Sequence, residues 1–576
     1  GYSNERLHFR STDKGFLNNV TSTRQNVTVN FDEIFYLRPG LITVTDGTTG
    51  APVDPYNLSN YVLTTANATY RRTTDVKRSA YANLRRDFDL AGTPLVLKAG
   101  LDVRQSMRDD FQSTPPYTFV GADGRASTSP TATGSDDRAS IVLDDVFSQR
   151  TAPYGFPQIQ YVSTEKAFAL YQANPAFFTL DPNSLYRSEV TSSKRAEELV
   201  SSAFLRGDVA LFSRRLKIVG GLRAEQTNVD AEGPLNDPTR NYQRNAAGQV
   251  IRNANGTPVL IFPTTNALAV SQLTLLDRAA SAEKEYLRLF PSVNASFNLR
   301  ENLIARAAFY ESVGRPNFNQ YSGGVTLPDV ESPPSTTNRI VVNNAAIKAW
   351  SARSTRLALE YYFEGVGLVS VAAFRRDIEN FFGNTVFNAT PAFLALYGLD
   401  PATYDPFDVA TTHNLESTVR MQGLDFSYKQ ALTFLPPWAR GVQVFANGST
   451  LRTLGEASAT FAGFAPRTAN WGVSLAREKF NVKLNWNYRS RLRLAQIAAG
   501  RSIDPATYNW SSSRVYLNIA ADYEVLRRWT LFANLRNVTA VLEDVESANP
   551  STPAHSQLRS RDEFGSLWSL GVKATF

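Results

Sequence analysis

The sequence predicts an all-β protein, specifically a large transmembrane antiparallel β-barrel, and three observations carry that prediction. First, strand candidates along most of the chain change side-chain polarity with a period of two. In the C-terminal stretch Trp568, Leu570, Val572, Ala574 and Phe576 share one face, and Ser569, Gly571, Lys573 and Thr575 share the other. Second, connections alternate between a few residues and several dozen, which sorts all short turns to one end of a sheet and all long loops to the other. That asymmetry is expected of a barrel with short periplasmic turns and long extracellular loops, and a soluble sandwich has no reason for it. Third, Leu, Val, Trp, Tyr and Phe oppose Asp, Lys, Arg and Asn, the pattern of a wall with lipid outside and a wet lumen inside.

Composition narrows the alternatives. The chain has 576 residues, 43% of them hydrophobic and 11% aromatic, with mean hydropathy −0.27. It contains no apolar run near the roughly 18 residues that a membrane helix requires. With no cysteine and three scattered histidines, His8, His413 and His555, it offers no disulfide framework, no zinc site and little histidine-based catalysis. The formal charge of +7 comes from 60 Lys and Arg against 53 Asp and Glu. These charges are interspersed rather than blocked, so nucleic acid is not an expected partner. Gly1 to Arg10 lacks the regions of a signal peptide, so either it has been removed or the chain begins partway through a longer protein.

In order, residues 1–75 read as part of one more strand and a long Thr-rich loop, with short strands at Asn26–Phe31 and Ile34–Leu37. Residues 76–576 read as the barrel domain. Val76–Asp89 turns at Ala91-Gly92-Thr93-Pro94 into a strand with Leu95, Leu97, Ala99, Leu101 and Val103 on one face. Asp109–Ser193 is a Pro/Ser/Asp-rich loop holding a short helix around Glu165–Tyr171. Strands follow at Lys194–Ser213 and Leu216–Val229, a loop at Glu232–Ala280, then a hairpin of Glu285–Leu299 and Leu303–Val313. Gly314–Trp350 is loop. Thr355–Phe363 turns at Glu364-Gly365 into a strand running to Phe382, and the loop Gly383–Asn414 carries a short helix at Pro391–Leu399. The remaining strands are Gly423–Gln430, Gly441–Thr450, Thr468–Ala476, Asn481–Arg489, Arg514–Tyr523, Trp529–Asn537 and Trp568–Phe576. This pass yields about fifteen to sixteen strands. Trp486, Tyr488, Trp529 and Trp568 fall toward strand ends, as interfacial girdle residues do.

Candidate chemistry is sparse. The acidic pairs Asp109-Asp110, Asp136-Asp137 and Asp144-Asp145 lack the glycine-bearing spacing of a calcium loop and read as solvated loop charge. Gly365-Val366-Gly367 opens no helix and is a turn rather than a phosphate cradle. Ser556 beside His555 has no acid partner or nucleophile elbow. No catalytic residue, metal site or cofactor is expected.

Several segments resemble the barrel half of TonB-dependent outer-membrane receptors. Ala307–Phe318 (AAFYESVGRPNF) is similar to that family's strand ending in S-x-x-R-P. The most specific match is Asn343–Phe382 (NNAAIKAWSARSTRLALEYYFEGVGLVSVAAFRRDIENFF), which follows the family's NP-x-LKP, L-x-LEYYF and G-x-x-S-x-x-x-F signatures. Gln422–Tyr428 (QGLDFSY) and Ser566–Phe576 match later strands. Ala345 and Ala349 stand where the family often has prolines. The resemblance implies a 22-stranded barrel filled by a plug; this chain shows no TonB-box-like segment and no plug, so a truncated chain is the expectation.

What the resemblance implies for function is energised uptake across the Gram-negative outer membrane of a scarce large solute: a ferric siderophore, a vitamin or an oligosaccharide. Its partners would be TonB acting through the plug, membrane lipid and lipopolysaccharide, and the barrel assembly machinery. Trp568, Leu570, Val572 and Phe576 would form the C-terminal assembly signal. Leu303–Gly314 is long enough to cross a tilted wall, so Arg315, Asn317 and Phe318 are expected to emerge at the outer rim as candidate ligand contacts; a structured loop base is the alternative. Two other functions stay open. One is a passive channel or barrel scaffold without energy coupling, and the other is a soluble β adhesin with a core between its sheets.

Overall fold

The structure, a computed structural model, describes residues 1–10, 17–34, 39–90, 92–127, 136–152, 155–342, 349–363, 367–414, 417–455, 463–497 and 503–575. The expectations for 35–37, Ala91, Ala345, the turn at 364–366 and Phe576 fall outside them.

Among the described residues twenty strands join in one sheet. Sixteen form the wall: β1 (Tyr2–Arg10), β2 (Tyr70–Leu90), β3 (Thr93–Ser113), β4 (Lys194–Leu211), β5 (Leu216–Asn236) and β6 (Leu275–Arg300) come first. They are followed by β7 (Leu303–Gly314), β8 (Trp350–Phe363), β9 (Gly367–Glu379), β10 (Val419–Ala431) and β11 (Val442–Leu454). The last are β12 (Arg467–Ala476), β13 (Phe480–Arg489), β14 (Arg514–Leu526), β15 (Trp529–Arg536) and β16 (Leu567–Ala574). Each pairs antiparallel with its neighbours in chain order. The short turns lie at one end and the long connections at the other, as the sequence predicts.

Register shows which way the faces point. Val515, Leu517, Ile519, Ala521 and Tyr523 of β14 lie opposite Tyr488, Trp486, Leu484, Val482 and Phe480 of β13. Leu531, Ala533 and Leu535 of β15 lie opposite Val572, Leu570 and Trp568 of β16. Directly opposed residues share a face, so the apolar set forms one continuous belt. It meets no second sheet: Leu570 is 72% exposed, Val572 56% and Leu357 57%. A soluble sandwich would bury these side chains; the belt is a lipid-facing surface. Trp471 and Trp486 stack on it, with ring centroids 6.4 Å apart and planes within 3°.

Several strands are longer than the sequence reading placed them, β2 and β6 above all, and in these two most of the extra length lies at the loop end. β2 spans 21 residues and β6 26, or about 70 and 85 Å of extended chain at roughly 3.3 Å per residue. About 9–11 tilted residues cross a bilayer. Above that level the outward positions turn polar, as at Arg78 and Thr74 in β2 or Glu283 and Glu285 in β6, so the alternation that marks a strand disappears while its hydrogen bonds continue.

The buried apolar clusters lie at the loop end, not at the height of the belt. Strands Asn19–Thr23, Val62–Asn67, Pro116–Phe119 and Phe178–Leu180 form a small sheet that closes over Leu63, Phe119, Val142 and Ala167. Four others, Leu492–Gln496, Tyr508–Ser511, Glu543–Ala548 and Leu558–Asp562, tie two further loops together. Ile340, Leu394 and Val409 centre a third cluster. The expected helices occur as α1 (Thr164–Ala173) and at Pro391–Ala395. Two more, α2 (Pro182–Ser192) and α3 (Ala267–Thr274), stand where the sequence reading had only loop. Asn26–Phe31 belongs to a strand, Val27–Ile34, paired with Pro39–Asp46 outside the wall.

Candidate ligand site at the loop end of the lumen

The inward positions of β4, β5 and β6 converge with the chain that follows β7. Glu198, Val200 and Ser202 of β4 oppose Val229, Thr227 and Glu225 of β5, and Thr227 in turn opposes Tyr286 of β6. All have the parity opposite to the belt residues Leu205, Leu222 and Leu289, and so face the lumen. Arg315 reaches into this group. Its Nη2 donates to Glu225 Oε2 at 2.6 Å, and its Nε lies 3.7 Å from Glu198 Oε2. Burial opposes the charge on Arg315, but the two carboxylates more than compensate and raise its pKa above the ordinary value.

Arg315, Asn317 and Phe318 therefore take different positions. Arg315 has 26% of its side chain exposed and is held by two glutamates. Phe318 faces the lumen under the guanidinium of Arg108, which sits 5.7 Å from its ring centre, a cation–π contact. Asn317 is exposed. A helical turn, Phe318–Tyr321, folds inward and buries Tyr321 against Ala196, Val229 and Ala231. Burial pushes the Tyr321 phenol well above its usual pKa. The hydroxyls of Thr227, Tyr286 and Tyr321 lie together beside Arg315, within reach of one another. Buried polar groups are nearly always satisfied, and this cluster is where they find their partners.

The segment beyond Tyr321 leads to a pocket of about 650 Å³ lined by Thr191, Asn236, Gly324, Arg339, Thr411 and Thr412, among others. Its wall depends on a close approach of two segments of the chain. Gly324 has φ +86°, and a Cβ there would stand 2.5 Å from Pro234 O; one on Gly233 would stand 2.4 Å from Ser322 O. Both positions therefore require glycine. Arg339 makes no ion pair among the described residues, and it shares the pocket with hydroxyl and amide groups and with Val325, Val341, Val342 and Val386. The pocket thus offers one cation and several neutral hydrogen-bonding groups.

The acidic pairs are held by protein groups rather than left as solvated charge, although Asp136 and the fully buried Asp137, which accept from backbone N–H groups, each keep one buried oxygen without a partner. Asp110 accepts two bonds from Arg71 and one from Thr73, Asp109 pairs with Arg278 at 2.6 Å, and Asp145 pairs with Lys166 at 2.5 Å. Among the described residues no three His, Asp or Glu group closely enough to hold a metal. Glu198, Glu225, Tyr286, Tyr321 and Arg339 carry no sequence signal of their own. They come from segments far apart in the chain, and only the register brings them together.

The family pattern described as TonB dependent receptor-like, beta-barrel, matches residues 5–538. The chain belongs to this family. Its members are transporters rather than enzymes and reside in the outer membrane of Gram-negative bacteria, and this barrel is such an outer-membrane protein. Among solved structures, the copper transporter OprC is similar at 13% identity and TM-score 0.46, over 100% of this chain and 66% of that one. The unliganded ferric citrate transporter FecA is similar at 12% and 0.44, over 92% and 57%. BauA, the ferric preacinetobactin receptor from Acinetobacter baumannii, is similar at 12% and 0.46, over 89% and 58%. The chain thus spans about three fifths of the length of these transporters. No curated protein matches its sequence.

Proposed function

We propose that this barrel belongs to an active importer that takes up a scarce large solute and draws its energy from TonB, and that the solute is first held at the loop-end pocket. Membership of the receptor family is the observation that carries the reading. The pocket supports it: a recess with largely apolar walls, one unpaired arginine and several hydroxyl and amide groups suits a solute that carries carboxylate, phenolate or hydroxyl oxygens, as ferric siderophores and oligosaccharides do. Beneath it the Arg315 cluster offers a second set of polar partners along the way down the lumen. A passive channel would need neither energy nor a selective recess. The deciding experiment is uptake of labelled ferric siderophores, vitamin B12 and oligosaccharides by a strain carrying the intact receptor, with and without TonB. Import of one solute class that stops when TonB is deleted supports the proposal. Import that continues without TonB, or single-channel conductance of the intact purified receptor in planar bilayers, refutes it.

A further inference from the structure

The long connection between β3 and β4 closes on itself around two aspartates. Strand Pro116–Phe119 runs into a tight turn at Gly121, which has φ +60°. The same connection returns at Asp136 and Asp137, and the next residue, Arg138, bridges to Val62 and so rejoins the small sheet. The main chain holds Asp137 in place, because its carbonyl accepts from the N–H of Leu63 at 2.7 Å. Its side chain is fully buried, with Oδ2 accepting from the N–H of Ser127 at 2.5 Å. Asp136 also uses Oδ2, which accepts from the N–H groups of Ala122 and Asp123.

Oδ1 of each aspartate is left over. Both atoms are buried and neither has a partner. They also converge: a Cβ added to Gly121 would stand 2.6 Å from each of them, so they lie at most twice that distance apart. Glycine keeps this space open, where any side chain would fill it. Neither aspartate forms an ion pair among the described residues, and Asp123 adds a third negative charge at longer range. A carboxylate oxygen out of reach of water and without a partner is costly, and two of them facing each other cost more. A divalent cation between them removes both costs.

We propose that Asp136 and Asp137 bind a calcium ion above Gly121. Ca²⁺ takes six to eight oxygens at about 2.3–2.6 Å in irregular geometry, so two carboxylates balance its charge while main-chain carbonyls and water complete its shell. Mg²⁺ demands near-ideal octahedral geometry and gives up its water reluctantly, so it fits this recess less well. The small number of charged ligands puts the affinity in the range of extracellular modules, about 10⁻⁴–10⁻³ M. The ion clasps the two ends of the 121–137 excursion to the strands that carry Leu63 and Phe119, and so steadies the cap built on them.

The test uses the intact receptor purified in detergent and stripped of metal with EGTA. In equilibrium dialysis against roughly 1 mM radiolabelled calcium, D136N with D137N is expected to bind one ion fewer than the wild type. D145N, in the same connection but paired with Lys166, should bind as many as the wild type. Magnesium should compete roughly tenfold more weakly than calcium. Hydrogen exchange reads the wild type directly: amides in 61–66 and 119–127 should exchange roughly tenfold more slowly once calcium is added, and in the asparagine pair its addition should change nothing. Heat-modifiable mobility on gels reports that each variant is folded. No transported solute enters these measurements, so their outcome is independent of the uptake experiment. Equal calcium binding by the wild type and the folded asparagine pair, wild-type exchange in these segments that ignores calcium, or magnesium bound as tightly as calcium would overturn the proposal.

Discussion

Arg315 donates to Glu225 across 90 residues of sequence, at 2.6 Å, and so ties the chain after β7 to the inner face of β5. Replacing Arg315 by Met keeps much of the side-chain bulk but leaves Glu198 without its cation and Glu225 with Arg223 alone, whose Nε donates to Oε1 at 2.6 Å. Breaking a buried pair costs about 3–5 kcal/mol, and the residual exposure of Arg315 favours the lower end. Urea unfolding of the refolded barrel should register this loss. Adding Glu225→Gln should recover part of it, whereas equal stability of R315M and wild type would show the pair to be idle.

The belt makes a sharper prediction. Leu222 lies opposite Leu205 on β4 and Pro291 on β6, and is outward; Val219 has the opposite parity and faces the lumen. Leu222→Arg should destabilise the barrel in vesicles by about 2–4 kcal/mol, the range for a cation on a lipid face near the midplane. Val219→Arg should cost less than 1 kcal/mol by the same measurement. Reversed costs would mean that the faces had been assigned the wrong way round.

At the pocket wall, Gly324→Ala must bring a methyl group against Pro234 while holding φ +86°. We expect a loss of about 2 kcal/mol, in the range for a strained non-glycine backbone, and a weakened grip on the transported solute. Gly124 also has positive φ, +71°, but a Cβ there meets nothing within 4 Å. Its alanine variant isolates the backbone cost, and solute affinity should be unchanged.

Helix α2 carries a pH signature. Asp181 caps it, accepting from the hydroxyl and backbone N–H of Ser184 and from the N–H of Asn183, and these bonds hold its carboxyl below the usual range. A depressed folded pKa gives stability that is complete above the unfolded value, near 3.9, and lost as pH falls through the folded one. The protection of amides in 182–192, taken relative to the unfolded chain at each pH, should therefore be steady from neutral pH down to about 4 and then fall. Asp181→Asn should keep the cap without that acid limb, and Asp181→Ala should cost about 1 kcal/mol at neutral pH.

The sequence reveals most of the wall and little of the site, and the two facts have one cause. Between Leu95 and Val103, or Trp568 and Phe576, lipid on one side and water on the other impose a period of two that is visible residue by residue. Tyr70–Thr74 and Leu275–Lys284 are equally extended, but both of their faces meet water or loops, so no alternation survives to mark them. The loops fail for a different reason. Leu63 packs from one connection against Phe119 and Val142 of another, and a cluster assembled from pieces leaves no local period. The Arg315 site inherits that opacity: a resemblance to a strand ending in S-x-x-R-P singled out Arg315, but only the fold supplies Glu198, Glu225 and Tyr321 around it.

The wall is held by ladders and solvated by lipid, while the caps above it carry miniature cores of their own. Damage to one layer need not spread to the other. A mutation that melts the sheet around Phe119 can unmake that cap yet leave an intact, correctly inserted cylinder. The caps can therefore vary in sequence without endangering the part that must survive in the bilayer.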